Sequence, residues 1–338
     1  MSRRERPAFV ALVHNVATPR HRQGDFKKLY GSNRLLMSFA ERVERSLRKK
    51  FPADAIQRVL EAWRQIQRGE LLQEDQREAH SYIRGIRSAK FFDCAEFPWV
   101  ASFEKNWETI RDELWHWESR RQELEQRGSR VWAKAARAEA VAYGPDWRTL
   151  VLQDRRWDED NCKLFSKTNQ VIRGSGVPSV EAFFARQAPQ SGIKPHSDGC
   201  NFILTAHLAL SAPPMRSWIA VGGERRFWEN GRVLIFDTSY IHETYNESTD
   251  SFRYVLLLRF WHPEVTSIER EALEYIFDVL DNPAWVDRDL QDVDTDLDTS
   301  VVGDLIERPN RSGRRGTLAR QRRSRGSSPA KGFGNFGR

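Results

Sequence analysis

The apolar residues of the amino-terminal part of the chain recur at steps of three and four. This spacing places their side chains on one face of a helix. The stripes of this kind are Leu35, Phe39, Val43 and Leu47; Ile56, Leu60 and Trp63; and Phe103, Trp107, Ile110, Leu114 and Trp117. The pattern predicts a helical region over residues 25–145. We interpret its aromatic side chains as helix packing rather than a cofactor site.

After about residue 146 this period gives way to short runs rich in β-branched and aromatic residues. The predicted strands are Thr149–Leu152, Ala182–Ala185, Phe202–Leu210, Trp218–Val221, Arg225–Trp228, Arg232–Phe236 and Arg253–Phe260. Turn-forming residues separate them, and we interpret Gly222–Gly223 as a hairpin turn rather than a phosphate-binding loop. Many short strands without long intervening helices favour an antiparallel sandwich or barrel over a doubly wound sheet. One more helix is predicted over Ser267–Leu280.

The two ends of the chain differ in composition from the part between them. Residues 1–24 form a basic leader, and residues 283–338 are first acidic and then rich in Arg, Gly and Ser, which is typical of disorder. The segment 308–338 holds ten Lys or Arg and no Asp or Glu. The rest of the chain therefore has 44 basic and 47 acidic residues, a net charge of −3, although the net charge of the whole chain is +7. Only the basic tail favours contact with nucleic acid.

The sequence contains no candidate transmembrane segment and no framework of paired cysteines. No apolar run approaches the roughly 20 residues that a membrane-spanning helix needs. Three cysteines, Cys94, Cys162 and Cys200, cannot all pair with one another and lack metal-binding spacing, which favours a reducing compartment. We expect a cytoplasmic protein, with organellar targeting by the basic amino terminus as the alternative.

Two histidines and an aspartate are the most informative chemical groups of the chain. His196 and Asp198 are spaced H-x-D, and His242 follows a β-rich run that ends at Asp237. Two imidazoles and one carboxylate are the protein ligands of non-haem Fe(II) sites that keep open coordination positions. Because residues i and i+2 of a strand project to one face, His196 and Asp198 reach the same ion if the strand extends that far. We predict that these three residues bind the metal and carry the catalysis.

Arg253 and His207 are candidates for cosubstrate binding. Arg253 begins an apolar strand, and a guanidinium buried there needs an anionic partner. That partner is either an acidic ligand, which an arginine can hold by a bidentate contact, or a protein carboxylate such as Asp237 or Glu243. His207 stands within another apolar strand, where it is either a satisfied core residue or a donor to a ligand.

Several separate blocks of the sequence occur in the same order as in a known family. They lie between about residues 95 and 265 and are Phe103–Trp107, Asn161–Phe165, Pro195–His196, Ala206–Leu210, Trp228–Asp237, Tyr240–Glu243, Ser251–Arg253 and Trp261–Pro263. Together these blocks resemble the aspartyl/asparaginyl β-hydroxylase family of 2-oxoglutarate-dependent oxygenases. The resemblance implies an α+β protein whose core is a double-stranded β-helix, the jelly roll of cupin-like proteins. We place this oxygenase domain at residues 146–282.

The resemblance also implies roles for the candidate residues. It makes His196 and His242 iron ligands, and it places Arg253 at the distal carboxylate of 2-oxoglutarate. His207 falls where the family has a histidine that contacts the cosubstrate. Asp198 is a branch point, because animal members carry glycine there whereas bacterial lipid-hydroxylating relatives carry H-x-D. A complete triad that includes Asp198 is therefore predicted.

Three positions depart from the family pattern. Thr205 replaces an arginine that often helps to hold 2-oxoglutarate, and Ala185 replaces a serine that can contact it. Arg259 stands where an acidic residue is common. The two losses predict a weaker hold on 2-oxoglutarate or the use of a different keto acid, and Arg259 predicts altered electrostatics.

These observations predict an Fe(II)- and 2-oxoglutarate-dependent dioxygenase that uses O2 to hydroxylate an unactivated C–H bond. The expected substrate is a peptide or a small molecule, with an Asp/Asn-type side chain or an amino-acid-like structure. One alternative is a cupin-like metal protein with different chemistry, which would not depend on oxygen. Another is a non-catalytic β-sandwich that only binds, an interpretation favoured by Thr205 and Ala185.

Overall fold

Two antiparallel sheets that face each other form the centre of the described structure. The computed structural model describes residues 37–68, 76–79, 81–134 and 147–291, all within the unit Met1–Asp294. The predicted leader, the predicted domain boundary at residue 145 and the predicted tail beyond residue 291 lie outside the described residues. Within these ranges, no helix is both long and apolar enough to cross a membrane.

The elements of the described residues are as follows. The helices are α1 (Phe39–Lys50), α2 (Gln57–Arg68), α3 (Val100–Lys105), α4 (Trp107–Glu118), α5 (Arg121–Arg127), α6 (Glu159–Leu164), α7 (Ser166–Ser175), α8 (Ser267–Asp281) and α9 (Ala284–Gln291). The strands are β1 (Phe91–Phe92), β2 (Ala133–Lys134), β3 (Trp147–Asp154), β4 (Arg156–Trp157), β5 (Ser179–Gln187), β6 (Ser191–His196), β7 (Ile203–Ser211), β8 (Ser217–Val221), β9 (Glu224–Phe227), β10 (Val233–Phe236), β11 (His242–Asn246) and β12 (Arg253–Trp261).

The order of the strands is that of a jelly roll. The larger sheet runs β1-β10-β7-β12-β5-β3-β2, with β4 beside β3, and the smaller sheet runs β6-β11-β8-β9. From β5 to β12 the chain passes back and forth between the two sheets, which is how a double-stranded β-helix is wound. The predicted fold class, an α+β protein with a jelly-roll core, is confirmed.

Helices cover the outer face of the larger sheet and one end of the sandwich. Successive residues of β12 point to opposite faces: Leu256, Leu258 and Phe260 join the core beneath α3 to α7. Helices α1, α2 and α8 share a second core, and α1 and α8 each begin with a capping box at Ser38 and Thr266. The aromatic stripes thus pack in cores, as predicted.

The sequence pattern located the main strands of the larger sheet and several helices, but it did not predict helices α6, α7 and α9 or the two-residue strands β1, β2 and β4. Helix α9 lies in the segment 283–338 that was predicted as a tail. Two further errors bear on the site and on the first long helix. The predicted helix through Phe103 and Trp117 is interrupted at Asn106, whose side-chain amide donates to the carbonyl of Ser102 at 2.8 Å and competes with the helical hydrogen bonds. Strands β6 and β11 were missed, because both are short and carry polar residues. These two strands carry His196 and His242.

Candidate metal centre

The two candidate histidines lie side by side on neighbouring strands. His242, the first residue of β11, is the register partner of His196, the last residue of β6, and their ring centroids are 4.3 Å apart. Nδ1 of His196 is 2.7 Å from the carbonyl of Lys194, and Nδ1 of His242 is 3.0 Å from the carbonyl of Tyr240. A carbonyl only accepts, so each Nδ1 carries the proton and each Nε2 keeps its lone pair for a ligand.

Asp198 joins the histidines from a loop rather than from a strand. Strand β6 ends at His196, so the strand pleat does not place the carboxylate. Instead the Asp198 amide donates to the carbonyl of Thr238 at 2.8 Å, and Gly199 turns the chain with a φ of +87°. One carboxylate oxygen of Asp198 lies 3.7 Å from Nε2 of His196. The ligand atoms of His196, Asp198 and His242 all lie within 4.8 Å of one another.

The protonation of the histidines suits a metal site. Burial, followed by the neighbouring His196, lowers the pKa of His242 to about 4, so this imidazole is neutral at neutral pH. A neutral imidazole binds a metal ion without first losing a proton. Cys200 lies close in sequence, but burial raises the pKa of its thiol to about 12, which keeps it protonated. The donor set of two nitrogens and one carboxylate oxygen fits Fe(II).

An ion network that the sequence did not predict stands behind Asp198. Arg259 of β12 places Nη2 3.9 Å from one oxygen of Asp198 and Nη1 4.0 Å from Glu181 of β5. All three side chains are largely buried. Burial raises the pKa of Glu181 to about 7, although Arg259 acts in the opposite direction. The guanidinium therefore contacts the outer oxygen of Asp198, while the other oxygen faces His196.

Arg259 lies directly opposite Thr205 on the neighbouring strand. The two residues are register partners across β12 and β7, and Glu181 is the partner of Arg259 on its other side. All three line the cavity between the sheets. The sequence did contain one signal of this network. Glu181 and Arg259 each stand at an inward position of an otherwise apolar strand, where a charged side chain needs a partner of opposite charge.

The cavity between the sheets contains the candidate metal ligands. It has a volume of about 130 Å³. Its lining residues are Trp147, Thr149, Val151, Gln153, Asp154, Glu181, Phe183, Ile193, His196, Asp198, Thr205, His207, Ile219, Phe236, Thr238, His242, Thr244, Leu257 and Arg259. The candidate metal ligands thus share one space with other polar side chains and with apolar ones, a combination found in small-molecule sites.

Arg253 is a buried cation that has no carboxylate beside it among the described residues. It is 2% exposed, and its Nε and Nη1 have no hydrogen-bond partner among the described residues. Burial alone lowers its pKa to about 9, so neither Asp237 nor Glu243 is the anionic partner. Its guanidinium carbon lies 4.4 Å from the ring centre of Trp228, a contact that stabilises the cation without neutralising it.

His207 faces the cavity and lies near Arg253. It lines the cavity, and its ring stacks on Trp228 at a centroid distance of 5.7 Å. Burial, followed by Arg253, lowers the pKa of His207 well below its usual value, so the ring is neutral. Its Nδ1 is buried and has no hydrogen-bond partner among the residues described. Of the two interpretations made from the sequence, the satisfied core histidine is not what the structure contains.

A buried aspartate supports the loop that holds Asp198. Asp237 accepts a hydrogen bond from the amide of Ser239 at 2.8 Å and from the hydroxyl of Ser88 at 3.3 Å. The same turn supplies the Thr238 carbonyl that accepts from Asp198. Burial raises the pKa of Asp237 from 3.8 to about 7.

The variant Asp237→Asn tests this environment through its pH dependence. Between pH 3.8 and about 7 the folded protein holds a proton at Asp237 that the unfolded chain releases, so this group's contribution to stability falls as pH rises. The free energy of unfolding of the variant, relative to that of wild type, should rise by roughly 4 kcal/mol across this pH window and stay constant above it. Urea unfolding at several pH values measures the difference. The comparison with wild type is needed because buried His207 and His242 produce the opposite trend. A constant offset at all pH values would contradict the expectation.

Comparison with known proteins connects this geometry to one family. Residues 104–263 match the family model described as aspartyl/asparaginyl beta-hydroxylase. The chain is 30% identical over 242 residues to the aspartyl/asparaginyl beta-hydroxylase of Mus musculus, covering 66% of this chain and 30% of the mouse protein. It is 37% identical over 92 residues to aspartate beta-hydroxylase domain-containing protein 2 of Rattus norvegicus, covering 27% of this chain and 26% of that protein. The chain thus spans about 30% of the length of the first relatives.

A solved structure with a related description is only distantly similar. A Pseudomonas putida prolyl-4-hydroxylase is 15% identical, with a TM-score of 0.29, and the match covers 48% of this chain and 98% of that one. The family match, by contrast, includes the positions of all five predicted site residues, from His196 to Arg253.

Proposed function

Because the chain belongs to the aspartyl/asparaginyl β-hydroxylase family through residues 104–263, we propose that it is a hydroxylase that uses Fe(II), 2-oxoglutarate and O2. The observation that carries the proposal is the meeting of His196, Asp198 and His242 within 4.8 Å inside one cavity. The buried, uncompensated guanidinium of Arg253 supports a dicarboxylate cosubstrate, because such a cation is costly unless an anion reaches it.

The three ligand residues hold Fe(II) in this proposal. The carbonyls of Lys194 and Tyr240 fix the imidazole tautomers, so that both Nε2 atoms face the ion. Arg259 holds the outer oxygen of Asp198 and leaves the other oxygen for the metal. When bound, iron and 2-oxoglutarate supply the oxidising chemistry that inserts oxygen into an unactivated C–H bond.

Other residues orient the cosubstrate and exclude water. Arg253 binds the distal carboxylate of 2-oxoglutarate. His207, which is neutral, donates one hydrogen bond from its ring to the same cosubstrate. Phe183, Ile193 and Leu257 line the cavity and keep water away from the reacting carbon. We propose a peptide or small-molecule substrate with an Asp/Asn-type or amino-acid-like structure, in keeping with the names of the relatives.

The proposal is tested by anaerobic titration of the protein with Fe(II) and 2-oxoglutarate, followed through their visible charge-transfer band. We expect the band in the wild type, and a loss of about tenfold or more in iron affinity for Asp198→Ala, since the site then lacks its charged ligand. The exposed Asp160→Ala is the matched control and should behave as wild type. The proposal fails if the wild-type protein gives no band and binds no iron.

A further inference from the structure

A second hydrogen-bond donor stands beside Arg253 in the interior of the sandwich. Gln187, the last residue of β5, is the register partner of Arg253 in β12. Residues directly opposite each other on neighbouring strands project to the same face. Gln187 is fully buried, and its Nε2 has no hydrogen-bond partner among the described residues. Two adjacent buried side chains therefore present unsatisfied N–H groups on one face of the sheet.

Contacts from the opposite sheet orient the Gln187 amide. Thr244 of β11 donates from its hydroxyl to Oε1 of Gln187 at 3.4 Å, and Asn246 donates to the Gln187 backbone carbonyl at 3.4 Å. Because the two ends of an amide group point in different directions, holding Oε1 also fixes the direction of Nε2. The acceptor end is thus in use, and the donor end is the one without a partner.

Two of the residues that line the cavity are direct neighbours of Gln187. Thr244 lines the cavity, as does Trp147, the register partner of Gln187 in β3. In the row of the sheet between Gln187 and the cavity floor at Phe183 stands Ala185, a small side chain. Ala185, Gln187 and Arg253 do not line the cavity themselves, so a ligand meets Gln187 and Arg253 only if it extends from the cavity past this row.

We propose that Gln187 is a cosubstrate-binding residue, which donates from Nε2 to the same distal carboxylate that Arg253 holds. This inference rests on the proposed function. A carboxylate offers about four acceptor positions, so it can accept from a guanidinium and a carboxamide together. Gln187 is the next residue of β5 on the same face after Ala185, where the chain lacks a hydroxyl. The carboxamide therefore supplies the neutral donor that this strand otherwise lacks.

The test compares two keto acids that differ in the distal carboxylate. Dissociation constants of 2-oxoglutarate and 2-oxovalerate are measured by anaerobic calorimetry on the full-length protein saturated with Fe(II). For Gln187→Met we expect about tenfold weaker binding of 2-oxoglutarate, because one hydrogen bond to a charged group is lost. The binding of 2-oxovalerate, which lacks the distal carboxylate, should be unchanged. For Gln187→Glu, which is of similar size, the added charge should weaken 2-oxoglutarate further.

The outcomes separate this inference from the function on which it rests. Equal 2-oxoglutarate affinity in wild type and Gln187→Met, or equal weakening of both keto acids, overturns the role of Gln187 alone. A wild-type protein that does not prefer 2-oxoglutarate to 2-oxovalerate overturns the proposed function as well. Gln65→Met is the control for the loss of a buried carboxamide elsewhere, since Gln65 lies in α2, outside the cavity lining. It should leave the preference between the two acids unchanged.

Discussion

Replacement of His242 by alanine is expected to lower the affinity for Fe(II) by at least about a hundredfold and to abolish hydroxylation. Loss of a group that merely orients a ligand often costs a factor of about 10 to 100, and His242 is itself a proposed ligand. No other imidazole of the described residues stands in its place, since the metal-binding group contains only His196, Asp198 and His242. Calorimetric titration with Fe(II) under anaerobic conditions measures the loss.

A matched control separates metal binding from general damage. His116 lies on the exposed face of α4 and contacts Arg120, so His116→Ala should keep the wild-type affinity for iron. Urea unfolding of the metal-free proteins verifies that both variants are folded. Retention of iron binding by a folded His242→Ala protein would rule out the proposed ligand set.

Replacement of Arg253 by methionine is expected to have two opposite effects. In the ligand-free protein the variant should be more stable by about 1 to 4 kcal/mol, because a buried charge without an anionic partner is removed. The lowering of the Arg253 pKa from 12.5 to about 9 corresponds to a desolvation cost of roughly 5 kcal/mol, part of which the substitution recovers. At the same time the affinity for 2-oxoglutarate should fall by about a hundredfold, since a charged contact is lost.

Urea unfolding without ligand and calorimetry with 2-oxoglutarate measure these two effects. The exposed Arg156 of β4 supplies the control, because Arg156→Met should change neither quantity appreciably. If Arg253→Met destabilises the ligand-free protein and leaves the affinity for 2-oxoglutarate unchanged, Arg253 is a structural residue and not a ligand-binding one. A gain in stability together with a loss of binding would show that the Arg253 charge of β12 destabilises the ligand-free protein but is needed to bind 2-oxoglutarate.

The sequence predicted the larger sheet better than the smaller one, for a physical reason. Strands such as β7 and β12 are buried on both faces and read as continuous apolar runs, so Ile203–Ser211 and Arg253–Trp261 were located within one residue. Strand β6 contains Gly192 and Pro195, and β11 reads HETYN, so neither carries a strong strand pattern. The residue types and the H-x-D spacing, supported by the resemblance to a family, pointed to His196 and His242, whereas strand periodicity did not.

Side-chain pairing across strands was beyond reach of the sequence alone. The interaction of Glu181 with Arg259 depends on the register of β5 and β12, and register follows from the whole sheet rather than from local pattern. The stacking of Arg253 on Trp228 joins residues from separate elements in the same way. Single residues with unusual chemistry were therefore predictable, whereas their partners were not.

The position of β6 at the edge of the smaller sheet has a consequence for the order of the protein. This strand pairs with β11 along one side only, and edge strands are more prone to fray than central ones. An ion held by His196 and His242 would fasten the last residue of β6 to the first residue of β11. Removal of the metal by a chelator should therefore loosen the edge strand β6 selectively. Amide hydrogen exchange should then accelerate in residues 191–196 before it does in β7 or β12.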